Sequence, residues 1–222
     1  MIGATLLLGG AVLLFSLGYW QLQRLIWKED MISKLSQAYA SSAHEFIDFE
    51  KLDQHDFLYG KVEGLLLTQK ALLLGPRVKE TQIGHDLIVP LIMKDQRIVL
   101  VNMGWTNAHL KNLSIDDAQN AHVSFVGLTR FPTWNIFTPK NMPDNNVWIR
   151  PDIEQIAEAK NLAMPLPVFL YAQSSSFSFK ENLPNHAHWY PRNKHTHYAI
   201  FWFFMTVIFI SFFGWIVFKT KR

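Results

Sequence analysis

The stretch YAIFWFFMTVIFISFFGWIVF, residues 198–218, decides the class of this protein because it contains no charged side chain before Lys219. A second uncharged stretch, IGATLLLGGAVLLFSLGYWQLQ, occupies residues 2–23 and ends before Arg24. About 20 helical residues, each rising about 1.5 Å, cross a hydrocarbon core of about 30 Å. The N-terminal stretch, residues 2–23, lacks the basic start and the small-residue cleavage site of a signal peptide, so we expect a retained anchor. The sequence predicts transmembrane helices over residues 1–24 and 195–218.

Two spans place both termini on the same side of the membrane. The basic tail at residues 219–222 favours a cytoplasmic location for that side, although Arg24 and Lys28 oppose it weakly. We therefore expect residues 25–194 to form a domain outside the cytoplasm, in a periplasm-like space.

The central segment has the pattern of a β-rich domain. Its apolar runs have strand length and are separated by turn residues, with Lys-Asp-Gln at 94–96 as a hairpin turn. The sequence predicts an antiparallel, barrel-like sheet with strands in residues 57–67, 71–75, 87–93, 97–105 and 122–130. One helix fits residues 150–162 with Pro151 in its first turn, and the polar segment after Glu29 fits a helix that continues the first span.

Composition and motifs exclude several classes of function. The net charge is +3, but the basic residues are scattered among 18 acidic ones, which argues against a nucleic-acid surface. There is no cysteine, and the sequence has no GxSxG, phosphate-binding glycine loop or HExxH motif. We therefore expect no enzymatic activity and no thiolate metal site.

Four histidines, two shortly before the second span and two at its start, are the strongest lead to a function. His186 and His188 form HAH, and His195 and His197 form HTH. Imidazole is a ligand for copper, zinc and haem iron, but it also suits a polar group at the lipid headgroups. Residues two apart on a helix point about 200° from each other, so His195 and His197 share one metal only if the backbone is extended.

Several motifs occur in the order found in one known family. LGYWQLQRLIWK at 17–28 resembles LGxWQxxRxxWK, and RIVLVNMGW at 97–105 resembles VLVNRGW. Further similarity lies in LLLGPR, in GHDLIVPLIM, in residues 126–157 and in RNKHTHYAIFWF, which resembles NxHLQYAxxWF. By these motifs the chain resembles the Surfeit-locus protein one family of cytochrome c oxidase assembly factors. Met103, Pro151 and Thr196-His197 depart from the family pattern.

This resemblance implies two transmembrane helices around an extracytoplasmic β-rich domain, and a role without enzymatic activity in maturing haem-copper oxidases. It also implies haem a as the cofactor, with His195 as its ligand, although His197 leaves the choice of imidazole open. The implied partners are the catalytic subunit of cytochrome c oxidase, haem a synthase and the lipid bilayer. The chain begins directly with its first span, so we expect a bacterial inner membrane protein.

A haem-binding hypothesis assigns roles to the residues around His195. Tyr198, at i+3, and Trp202, at i+7, would provide aromatic walls on the face of His195, while Arg24 and Arg192 would meet the propionates. Two alternatives remain open: a haem-free scaffold that docks oxidase subunits, and a copper or zinc carrier that uses the HAH and HTH motifs.

Overall fold

A computed structural model describes residues 2–40, 43–113, 115, 118–179 and 183–220. The chain divides into two compact units. The helical unit comprises Met1–Leu35 with Tyr190–Arg222, and the barrel unit comprises Ser36–Trp189.

Two long terminal helices carry the apolar stretches. Helix α1 covers Ile2–Tyr39 and the last helix, α3, covers His195–Thr220. Within them, Thr5–Tyr39 and His195–Lys219 are long and apolar enough to cross a bilayer, and most of their large apolar side chains are exposed. A water-soluble core helix would bury such side chains, so this exposure agrees with the two predicted spans. The polar segment after Glu29 continues α1 without a break, as predicted.

Six strands form the sheet of the barrel unit. They are β1 Tyr59–Leu66, β2 Leu72–Lys79, β3 Gln82–Met93, β4 Ile98–Thr106, β5 His122–Arg130 and β6 Pro165–Ser175. The strand order is β1-β5-β6-β4-β3-β2, and β1 also pairs with β3. This extra pairing closes five strands into a ring, with β2 added beside β3, and confirms the barrel-like prediction. Gly64 lies at the closing pair, where a Cβ atom would overlap the Ile92 carbonyl oxygen.

Strand β6 was not predicted from the sequence, although it lies in the interior of the sheet between β5 and β4. Pro165 and Pro167 obscure its pattern, but both stand near its start, where proline is tolerated. It runs parallel to β4, so the sheet is not fully antiparallel. A parallel pair requires a crossover connection, and the segment that contains the short helix α2, Ile153–Lys160, precedes β6.

Two apolar clusters lie on opposite faces of the sheet. Leu87, Val89 and Leu91 of β3 belong to the larger cluster, while Ile88 belongs to the smaller one, which also contains Ile156 of α2. Successive strand residues point to opposite faces, so β3 must be apolar on both. This explains why its sequence is a continuous apolar run.

The start of α2 differs from the prediction in one detail. Asp152 is the N-cap, and its carboxylate accepts a hydrogen bond from the backbone N–H of Gln155 at 3.1 Å. Pro151 therefore precedes the cap and does not belong to the first turn. The hairpin at residues 94–96 is confirmed between β3 and β4.

Candidate functional site

The two helices of the helical unit pack closely along part of their length. The rings of Phe15 and Phe203 lie 5.4 Å apart between centroids. A Cβ atom on Gly18 would lie 2.8 Å from the ring of Phe203, and one on Gly10 would overlap the ring of Phe209. Small residues of this kind allow membrane helices to approach each other closely.

A hydrogen bond between two polar side chains lies at one end of this packed helix pair. The Nδ1 atom of His195 lies 2.7 Å from Oε1 of Gln21, and the Gln21 side chain is only 9% exposed. An amide oxygen can only accept, so Nδ1 must carry the proton. The lone pair of the neutral imidazole is then on Nε2. Gln21 thus fixes both the orientation of the ring and the nitrogen that is available as a ligand.

The first two turns of α3 carry His195 and three of the other predicted site residues, His197, Tyr198 and Trp202. The backbone N–H of His195 donates to Oδ1 of Asn193 at 3.3 Å, at the point where the helix begins. Ala199 is buried, Trp202 is half-buried and Tyr198 is exposed. His197 is also exposed. Since residues 195 and 197 both lie in helix, their side chains point to different sides.

Arg24, Lys28 and Arg192 belong to the same unit. Arg24 lies over two indole rings, 5.8 Å from the centroid of Trp20 and 5.3 Å from that of Trp27. The Lys28 ammonium donates to the backbone carbonyl of Arg192 at 2.6 Å. The Arg24 and Arg192 side chains are exposed, so both guanidinium groups are accessible to an anionic ligand.

The first two histidines of the group lie in the barrel unit and have different surroundings. His186 Nε2 donates to Oδ1 of Asn102 at 2.8 Å, and its ring packs edge-on against Tyr171. Burial lowers the pKa of His186 to about 4, with a smaller opposite effect from Asp86. His188 stacks on Tyr39 instead, with ring centroids 4.3 Å apart. These contacts assign both imidazoles to packing of the segment that precedes α3.

Within the described ranges there is no group of three or more histidine, aspartate or glutamate side chains that could hold a metal ion. Sequence reasoning matched Gln21 and Gly18 to the LGYWQLQ motif but assigned neither of them a role in the site. The available signal was an amide side chain within an apolar helix, because polar groups in a membrane segment usually face a neighbouring helix.

These features define a membrane protein in which two terminal helices flank a central α+β barrel domain. The model of the SURF1 family, the Surfeit-locus protein one family named above, matches residues 8–207. The chain therefore belongs to the SURF1 family.

Similar proteins come from animals and from bacteria. A SURF1-like protein of Caenorhabditis briggsae is 27% identical over 93% of this chain and 72% of its own length. A SURF1-like protein of Rickettsia prowazekii is 28% identical over 92% of this chain and 85% of its own length. One from Drosophila melanogaster is 27% identical over 85% of this chain and 69% of its own length.

Proposed function

We propose that this protein assists the assembly of a haem-copper terminal oxidase, cytochrome c oxidase, by binding haem a and delivering it to the catalytic subunit. Haem a is the cargo in this proposal, and the protein itself needs no enzymatic activity. Haem a synthase would supply the cargo, and the catalytic subunit would receive it.

The observation that carries the proposal is the hydrogen bond between His195 and Gln21. An imidazole that ligates a metal ion usually donates its other N–H to a fixed acceptor, which orients the ring and increases the basicity of the ligating nitrogen. Gln21 Oε1 is such an acceptor at 2.7 Å from Nδ1. The Nε2 atom is thereby prepared to bind iron.

The residues around His195 fit the other parts of a haem. A haem is a flat apolar ring with an anionic propionate edge, so its site needs aromatic or aliphatic surface next to cations. Trp202 and Tyr198 follow His195 by two turns and one turn of α3 and provide the aromatic surface. Arg24 and Arg192 have exposed guanidinium groups that can pair with the propionates.

The helical geometry also supports release of the cargo. His197 points to a different side of α3 from His195, so the two imidazoles cannot bind the two axial positions of one iron. A single imidazole ligand leaves the second axial position open to the acceptor. We therefore assign ligation to His195 and no ligand role to His197.

The proposed location is a bacterial inner membrane, with both termini in the cytoplasm and the barrel unit in the periplasm. Lys219 and the following basic residues support this orientation by the positive-inside rule. The bacterial relatives from Rickettsia support the bacterial assignment.

The test is an absorption spectrum of the full chain, purified in detergent after co-expression with the enzymes of haem a synthesis. We expect a haem a band in the wild type and in His197→Ala, and loss of the band in His195→Ala. His197 is a matched control because it is an exposed histidine on the same helical turn.

Other results of this experiment would overturn the proposal in different ways. Absence of a haem band in the wild-type protein would favour a haem-free scaffold that docks oxidase subunits. Stoichiometric copper that disappears in His186→Ala and His188→Ala would indicate a copper carrier instead.

A further inference from the structure

A loop between β5 and α2, residues 131–147, exposes several large apolar side chains, which are Phe131, Trp134, Ile136, Phe137, Met142 and Val147. Ile136 and Phe137 at its tip are each 87% exposed. Phe131 and Trp134 in the same loop are 42% and 43% exposed. We call residues 131–147 the aromatic loop.

Hydrogen bonds fix the shape of the tip. The Asn135 side-chain oxygen accepts from the backbone N–H of Phe137 at 2.9 Å and from the Thr138 hydroxyl at 3.3 Å. The backbone N–H of Thr138 also donates to the Asn135 carbonyl at 3.1 Å. These bonds form a compact turn that holds the Ile136 and Phe137 side chains away from the rest of the barrel unit.

The base of the loop is also fixed. Buried Asn141 donates to the Arg150 carbonyl and to Gln155 Oε1, and it accepts from the backbone N–H groups of Ile149 and Arg150. The Arg150 side chain in turn donates to the Thr138 carbonyl at 2.9 Å. The fold therefore holds the tip in its exposed position, and clustered exposed apolar side chains are a feature of interaction sites.

The charge of the loop favours a lipid surface over other occupants. From residue 131 to residue 143 the only charged residue is Lys140, and the first acidic residue is Asp144. Tryptophan prefers the headgroup region, phenylalanine and isoleucine enter the acyl region, and lysine reaches lipid phosphates. Another exposed apolar pair, Val78 and Ile83 on the β2–β3 hairpin, adjoins both Lys79 and Glu80 and lacks this pattern.

The connectivity of the chain keeps the barrel unit close to a membrane. Helix α1 continues without a break from the helical unit into the barrel unit at Ser36, and α3 begins a few residues after the barrel unit ends at Trp189. The barrel unit is therefore attached to membrane helices at both of its ends. A bilayer is the apolar partner that it meets at the highest local concentration.

We propose that the aromatic loop inserts Ile136 and Phe137 into the interface of a bilayer that contains anionic lipids, with Lys140 against the lipid phosphates. This contact is a third membrane attachment, independent of haem binding. It restrains the barrel unit at the bilayer surface.

Because the natural sequence has no cysteine, a single cysteine can carry an environment-sensitive fluorophore. The full chain with Phe137→Cys would be labelled with nitrobenzoxadiazole and placed in nanodiscs of phosphatidylcholine and phosphatidylglycerol. Val78→Cys is the matched control, since this apolar residue is 73% exposed outside the loop. We expect spin-labelled lipid to quench the Phe137→Cys label several-fold more than the control label, and iodide in the water to quench it less.

Two further measurements separate the apolar and the charged parts of the contact. Trypsin should cleave the unmodified protein after Lys140 more slowly in these nanodiscs than in nanodiscs of phosphatidylcholine alone. In the chain labelled at Phe137→Cys, Lys140→Gln should make quenching by spin-labelled lipid equal in the two lipid compositions. Equal iodide quenching at both labelled positions would overturn the proposal, and so would protection of the Phe137→Cys label that requires an added oxidase subunit, because the partner would then be a protein.

Discussion

Replacing Gln21 with leucine tests the role of the amide that holds His195. Leucine is similar in size but cannot accept the hydrogen bond from Nδ1 of His195, which is 2.7 Å long in the native protein. Gln21 is only 9% exposed, so water cannot easily replace the lost acceptor. Moving the imidazole proton to Nε2 avoids an unpaired Nδ1–H, but it removes the lone pair from the proposed ligating atom.

The magnitude follows from the two parts of this loss. Loss of a neutral hydrogen bond lowers the free energy of unfolding by about 1 kcal/mol. The loss is instead about 1–3 kcal/mol if the donor stays buried and unpaired. Loss of a partner that orients a metal-bound imidazole typically weakens binding by about 10- to 100-fold. We therefore expect the dissociation constant for haem a to rise by about one to two orders of magnitude, which corresponds to about 1.4–2.8 kcal/mol.

The assay is a titration of haem a into detergent-purified apoprotein, followed by absorption. Gln23→Leu is the matched control, because Gln23 is an exposed glutamine on the same helix and should leave the dissociation constant unchanged. His195→Ala gives the lower limit of binding. If Gln21→Leu bound haem a as tightly as the wild type, or if Gln23→Leu weakened binding equally, the orienting role of Gln21 would be refuted.

Three further predictions concern stability. Gly18→Leu should lower the thermal midpoint, because overpacking of the close helix contact costs about 1–3 kcal/mol, whereas Gly9→Leu should not, since a Cβ atom on Gly9 has nothing within 4 Å. Asn141→Ala should destabilise the barrel unit by about 2–4 kcal/mol in denaturant unfolding, because it leaves two backbone N–H groups without their acceptor, and exposed Asn145→Ala serves as its control. The lowered pKa of His186 means that the unfolded chain binds a proton more readily between about pH 6.5 and pH 4, so stability is full above this window and falls as the pH decreases through it. His186→Gln should make the unfolding free energy less dependent on pH within that window.

Each of these predictions has an outcome that contradicts it. Similar thermal midpoints for the two glycine variants would show that close helix contact at residue 18 does not limit stability. An unfolding free energy for Asn141→Ala equal to that of its control would mean that the loop base is not held by the amide. An unchanged pH dependence in His186→Gln would assign the acid sensitivity to other groups.

Local patterns in the sequence predicted most of the secondary structure. Uncharged runs of membrane length became α1 and α3, and the five predicted strand segments became β1 to β5. Strand β6 was not predicted, because Pro165 and Pro167 oppose strand propensity. The strand forms nevertheless, because its pairing inside the sheet outweighs that preference. Its parallel pairing with β4 depends on a crossover connection, and no local sequence pattern predicts where that connection runs.

For the candidate site, the sequence located the histidines but not their partners. The resemblance singled out His195. Arg192, Tyr198 and Trp202 followed from their distance along the chain, and Arg24 from its position at the end of the first span. Gln21 lies 174 positions away from His195, so its hydrogen bond depends on the packing of α1 against α3. The same limit applies to His186, whose partner Asn102 lies 84 positions away on β4.

Charge and hydropathy along the chain, by themselves, determined the two membrane helices and the β-rich domain between them. These properties are local, because the free energy of transferring a residue to lipid or to a strand depends mainly on its own side chain and its neighbours. Tertiary structure alone decided which imidazole nitrogen of His195 is available, which partners His186 and His188 contact, and that Ile136 and Phe137 are exposed. Each of these depends on hydrogen bonds and packing between residues that are distant in sequence, and such contacts exist only after the chain has folded.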